Sequence, residues 1–223
     1  MIAEVVYGLV IVSINLILTD LILHFNYKAF KPRSNRNKTP TIIAFVFGVS
    51  AMLNILVLSR TQSTPALIHG LTTLIIMSSI AYIDLLTGHI PALSLVCSVI
   101  FGWIPYLLND QIIQFLIGGV SNLLLGWIAY HFGVQYFRKS TNKTLKFSAF
   151  GFGDIYGLGA LGFLLGFPDS IFGFFLTLIL SLFGAIVTSI TKKQSYLHIR
   201  VKLGGYIFLV AAIFLTLKLF DVY

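Results

Sequence analysis

Charge is scarce in this chain of 223 residues: Lys, Arg, Asp and Glu together make up 10 % of it, against roughly 25 % in soluble domains. Acids are the scarcer sign, seven against fifteen basic residues. Cysteine is nearly absent. Cys97 stands alone, which excludes an intrachain disulfide framework and a paired-cysteine zinc site. His24, His69, His89, His131 and His198 show no HExxH or similar ligand spacing, and each reads first as an interfacial or hydrogen-bonded residue. No metal and no cofactor is therefore expected. The opening stretch MIAEVVYGLVIVSINLILTDLILHF lacks a basic n-region and a small-residue cleavage site, so it reads as a retained helix rather than a signal peptide. No segment has the composition of a soluble domain.

What the chain has in abundance is apolar sequence: 57 % hydrophobic residues and a mean hydropathy of +0.95. About 20 apolar residues cross a hydrocarbon core as a helix. On that rule the sequence predicts an all-α polytopic membrane protein with about eight transmembrane helices, near 2–25, 41–58, 66–84, 90–108, 112–137, 150–167, 170–190 and 203–219. The glycine-rich span at 150–167 is open to being broken or re-entrant where protein buries it.

Lysine and arginine set the orientation, because cytoplasmic loops hold their excess. Thirteen of the fifteen lie in three loops on one side: Lys28, Lys31, Arg33, Arg36 and Lys38; Arg138, Lys139, Lys143 and Lys146; Lys192, Lys193, Arg200 and Lys202. Those loops are read as cytoplasmic, and with eight spans both termini face outward. The net charge of +8 is spread over these short loops, which favours anionic lipid of the bilayer's cytoplasmic face over nucleic acid as the partner.

The acids then sort by depth. Asp84 closes the span at 66–84 on its way inward, and Asp154 opens the span at 150–167 on its way outward, so both sit at the cytoplasmic boundary. Glu4, Asp110, Asp169 and Asp221 lie on the other side, about 30 Å of hydrocarbon away. Asp20 is the one competitor at the inner level. An ionisable group in a membrane helix costs a few kcal/mol and is usually retained for a function. Each aspartate also has a plainer reading: Asp84 snorkels at a helix end, and Asp154 complements a helix N-terminus. Their shared depth favours a pair.

Around Asp154, within AFGFGDIYGLGALGFLLG, the glycines Gly153, Gly157, Gly162 and Gly166 recur at or near four-residue spacing, with Gly151 and Gly159 adding small surfaces. Such spacing lets another helix backbone approach closely. Gly151 and Gly153 are also expected to leave the backbone open to an extended peptide substrate. Two carboxyl groups within a few ångströms cannot both ionise cheaply and hold one proton between them. Such a pair activates a water against a peptide carbonyl and protonates the leaving amine.

Gly151, Phe152, Gly153 and Asp154 match the GxGD signature of the type IV prepilin peptidases, which the chain resembles. Asp84 followed six residues later by Ile90 and Pro91 resembles that family's first catalytic motif. The resemblance spans residues 66 to 220. It implies a six-helix GxGD protease core at 66–223, preceded at 1–65 by two helices and a basic loop. It implies that Asp84 and Asp154 are catalytic in an aspartic endopeptidase. The implied partner is a prepilin-like membrane protein, a pilin or pseudopilin precursor cut at the cytoplasmic face between a short basic leader and an apolar helix. Three departures stand out. A Pro-Phe-Gly-Pro-like stretch of the family before its last helix is reduced here to Leu203, Gly204, Gly205 and Tyr206. Tyr156 occupies the place of the family's usual lysine, and the first loop, KAFKPRSNRNKTP, lacks the two CxxC pairs of members that also methylate the new N-terminus. Two alternatives are kept beside this reading: a non-catalytic scaffold in a pilus or competence assembly, and a proton-coupled transporter. A relay would place polar groups through the bilayer, and the spans after the first carry almost no charge at mid-depth.

Overall fold

A computed structural model describes residues 39–61, 63–140, 151–193 and 201–220, and among them every regular element is a helix. Seven helices follow one another: α1 (Thr39–Arg60), α2 (Thr64–Thr87), α3 (Ala92–Leu108), α4 (Ile112–Ser140), α5 (Phe152–Leu165), α6 (Asp169–Lys192) and α7 (Leu203–Leu219). The expectation of an all-α membrane protein is met. Among the described residues three helices are long and apolar enough to cross a bilayer, Thr64–Thr87, Ile112–Gly133 and Asp169–Thr191, while α3, α5 and α7 are apolar but shorter. The span expected at 2–25 lies outside the described residues, as does Asp20.

Local chemistry sets the helix limits. Pro65 sits in the first turn of α2, where its missing N–H costs nothing. The same helix stops at Gly88, which takes the left-handed conformation (φ 71°) and returns its N–H to the Asp84 carbonyl, a glycine C-cap. Thr87 Oγ1 donates to the Ile83 carbonyl at 2.8 Å and accepts the His89 N–H at 3.2 Å, fixing the turn that leads to Pro91 and α3. The glycine-rich span is an unbroken helix, yet its 14 residues rise only about 21 Å. Gly166, again at φ 71°, closes it with an N–H to the Gly162 carbonyl.

This short helix is the hub. α5 packs against α2, α3, α4, α6 and α7, and Leu158 through Leu165 are buried without a break. Its closest neighbour is α4: a side chain at Gly162 would meet the Gly118 carbonyl at 2.5 Å, and one at Gly118 would meet the Gly162 carbonyl at 2.6 Å. Backbone therefore lies on backbone, as small residues allow in membranes. On its other faces α5 joins a core of Leu74, Met77, Ile80, Leu161, Ile207 and Val210.

The far end of α5 is held by side chains. Its Leu164 carbonyl accepts a hydrogen bond from Tyr106 at 2.9 Å and lies 2.6 Å from His69 Nε2, satisfying a C-terminal carbonyl that the helix itself cannot. Nearby, Lys218 pairs with Asp169 at 2.6 Å. Arg60 lies over the Phe220 ring, 5.4 Å from its centre.

Candidate functional site

The opposite end of the bundle holds the carboxylates. Asp84 stands on the last full turn of α2 and is buried, at 3 % exposure. Its Oδ2 accepts the backbone N–H of Gly204 at 2.7 Å. Gly204 lies in the first turn of α7, where backbone N–H groups lack carbonyl partners within the helix, so α7 presents a donor to the end of α2. The approach is close enough that a side chain at Gly204 would come within 2.7 Å of Asp84 Cβ and 3.0 Å of the Ile80 carbonyl. The Lys202 ammonium donates to the Leu85 carbonyl, tying the same two ends together.

Asp154 stands on the first turn of α5, half-buried. Its Oδ2 accepts the Gly151 N–H at 2.7 Å, and its own N–H donates to the Gly151 carbonyl at 3.1 Å. The carboxylate thus caps its own helix, with the charge at the end the macrodipole favours. The plainer expectation for Asp154 describes a contact that is present.

A turn joins the two. A side chain at Gly153 would meet the Ile90 carbonyl at 2.8 Å and its N at 3.0 Å, so the start of α5 lies directly on the turn six residues after Asp84. At Gly157 the neighbours are Ile90 Cδ1 at 2.7 Å and Ile207 Cδ1 at 2.8 Å, so that turn, α5 and α7 meet at one point. Asp84 and Asp154 are brought to the same end of the bundle, around residues 88–91. The missing side chain of Gly153 serves Ile90. Among the described residues, only Asp154 Oδ2, at 3.6 Å, lies near the place a side chain at Gly151 would take.

Aromatic side chains rim the Asp154 side. Phe152, 54 % exposed, packs edge-on to Tyr130 of α4 at 4.9 Å between ring centres and lies 6.4 Å from Tyr156. Among the described residues no three His, Cys, Asp or Glu side chains gather as a metal site. Sequence reasoning missed Gly204 as part of the site. The cue was that Leu203, Gly204, Gly205 and Tyr206 stand where the resembled family has a Pro-Phe-Gly-Pro-like stretch, while the partner of Gly204 lies 120 residues away in the chain.

The profile of the type IV leader peptidase family matches residues 71–189, more than half of the chain. The matched stretch runs from α2 into α6 and contains both aspartates. No curated protein and no solved structure matches.

Proposed function

The chain belongs to the type IV leader peptidase family and is on that ground a membrane peptidase, and we propose that Asp84 and Asp154 are the carboxyl pair with which it hydrolyses the leader junction of pilin-like or pseudopilin precursors. The catalytic unit in this reading is 66–223, to which 1–65 adds two helices and a basic loop. The scissile bond is met at the cytoplasmic face, the side to which the excess of lysine and arginine assigns the basic loops.

The pair works as acid and base. The ionised carboxylate takes a proton from a water lying between the two, and the oxygen of that water bonds to the peptide carbonyl carbon. The protonated carboxyl hydrogen-bonds to the oxygen that gains charge. Collapse breaks the C–N bond as a carboxyl proton passes to the leaving amine, and the dyad ends with one shared proton. No covalent intermediate forms. Gly151 leaves room beside Asp154 for an extended substrate strand, and Gly204 fixes the rotamer of Asp84. The observation that carries the reading is the meeting of the end of α2, the start of α5 and the start of α7 around Ile90.

Co-expression with a pilin-like precursor tests it. Asp84→Asn and Asp154→Asn are expected to accumulate precursor while remaining inserted, and Asp20→Asn to cut normally. Unchanged cleavage in either of the first two variants would refute the mechanism. Proton flux into liposomes abolished by the same changes would favour a transporter, and no cleavage by the native chain would favour a scaffold.

A further inference from the structure

Beside the site, between α2 and α3, runs a groove of about 170 Å³. Its walls are Ile75, Ile83 and Phe101, and its floor holds Ser79, Ser94 and Cys97. Phe101 is half exposed and Cys97 is partly exposed, so the groove opens outward from the bundle. No charged residue lines it. Its α2 wall extends from Thr72 to Ile83, about 16 Å along the helix axis at 1.5 Å per residue.

We propose that this groove seats the apolar helix of the leader-bearing substrate, directly downstream of the bond that is cut; the inference rests on the peptidase reading given above. Three observations favour a helix. The floor is small: Ser79 and Ser94 turn their hydroxyls onto the Ile75 and Pro91 carbonyls at 2.9 and 2.6 Å, presenting compact surfaces that admit close backbone approach. The upper end of the groove lies beside the site, because it reaches Ile83, the neighbour of Asp84, and Ser94, whose hydroxyl donates to Pro91 of the 88–91 turn against which Gly153 lies. Its uncharged lining suits an apolar segment and rejects a basic leader. Asp84 lies about 100° round α2 from Ile83, facing α7. A substrate helix in the groove must therefore unwind at its upper end and cross the turn as a strand, each extended residue covering about 3.3–3.6 Å. An extended strand is the form in which a peptide bond is open to attack.

Cys97 is the chain's single cysteine and supplies the probe. Full-length protein in membranes carries Asp154→Asn to hold uncut precursor, and single cysteines are placed along the leader and the first three turns of the precursor's apolar segment. Oxidation is expected to join Cys97 to positions three or four apart in the apolar segment and to none in the leader. Cys97→Ser should remove every cross-link. Joining at all positions alike, or at none, overturns the proposal. So does labelling of Cys97 by a membrane-permeant maleimide that precursor leaves unchanged, which means lipid fills the groove. Failure of that reagent to label Cys97 without precursor also overturns it, because the groove is then covered by the chain itself. In a second arm, Cys97→Trp fills the groove. KM for the full precursor should rise on the order of tenfold, the loss of one good packing contact, while cleavage of a short peptide spanning only the leader junction stays unchanged. Equal losses on both substrates overturn the proposal. A native chain that cuts neither substrate counts against the peptidase reading instead, and the cross-links, which need no turnover, still report on the groove.

Discussion

Gly204 is where a single residue bears most directly on the proposed chemistry. Its N–H holds Asp84 Oδ2, and its bare Cα lets α7 rest against the end of α2. In Gly204→Ala the new methyl falls 2.7 Å from Asp84 Cβ and 3.0 Å from a backbone carbonyl, so Asp84 or α7 must shift. Overpacking of this kind costs about 1–3 kcal/mol. Steady-state kinetics should show kcat reduced on the order of tenfold or more with KM little changed, since what moves is a reacting group rather than a substrate contact. A variant with native kcat would remove Gly204 from the account. The proposed pair, Asp84 and Asp154, could be picked out from sequence because each stands in a short local pattern and the basic loops predict a common depth for both. Gly204 was not legible as a site residue, because its partner lies far away in sequence and the local stretch at 203–206 does not say what it touches. Gly153 shows the same limit from the other direction: the sequence reveals a missing side chain, and only the fold shows that Ile90 takes the space.

Helices were read well by hydropathy and less well at their ends. The segment expected at 66–84 runs to Thr87, and that at 170–190 is Asp169–Lys192. Apolar content marks where a helix crosses hydrocarbon, while intrahelical hydrogen bonding continues past it until a cap intervenes, as Gly88 does for α2. The glycine-rich span errs the other way, shortened to Phe152–Leu165 because Gly151 and Gly166 cap it at both ends. Its partner was beyond the reach of sequence, since small-residue spacing shows that a helix approaches and not which one. The α4–α5 contact gives a prediction for this level. Gly162→Leu drives a side chain toward the Gly118 carbonyl and Asn122, whose amide now donates to the Leu158 carbonyl at 3.2 Å. The pair should be pried apart at a cost of about 1–3 kcal/mol, seen as a lowered melting temperature in detergent. Gly133→Leu, on the same α4 helix with no atom of the described residues within 4 Å of the added position, should leave it unchanged.

At the scale of the whole molecule, the bundle separates two kinds of charge. One end collects Asp84, Asp154 and Lys202; the other holds the Asp169–Lys218 pair and Arg60 on Phe220. The partly exposed Asp169–Lys218 pair is expected to contribute at most about 1 kcal/mol. Asp169→Asn should therefore leave leader cleavage within about twofold of native, and a larger loss would show that the far end communicates with the site. The central claim is that two carboxyl groups from separate helices face a common space. The most direct measurement of it is cross-linking in the Cys97→Ser background. Asp84→Cys and Asp154→Cys are treated with a short bifunctional thiol reagent, and the chain is then cut at a protease site placed between residues 140 and 151. The account predicts that the two fragments stay joined, and that the pair Asp84→Cys with Asp169→Cys, at opposite ends of the bundle, comes apart. Fragments that separate in the first pair, while Asp84→Cys still cross-links to Gly204→Cys, would contradict it.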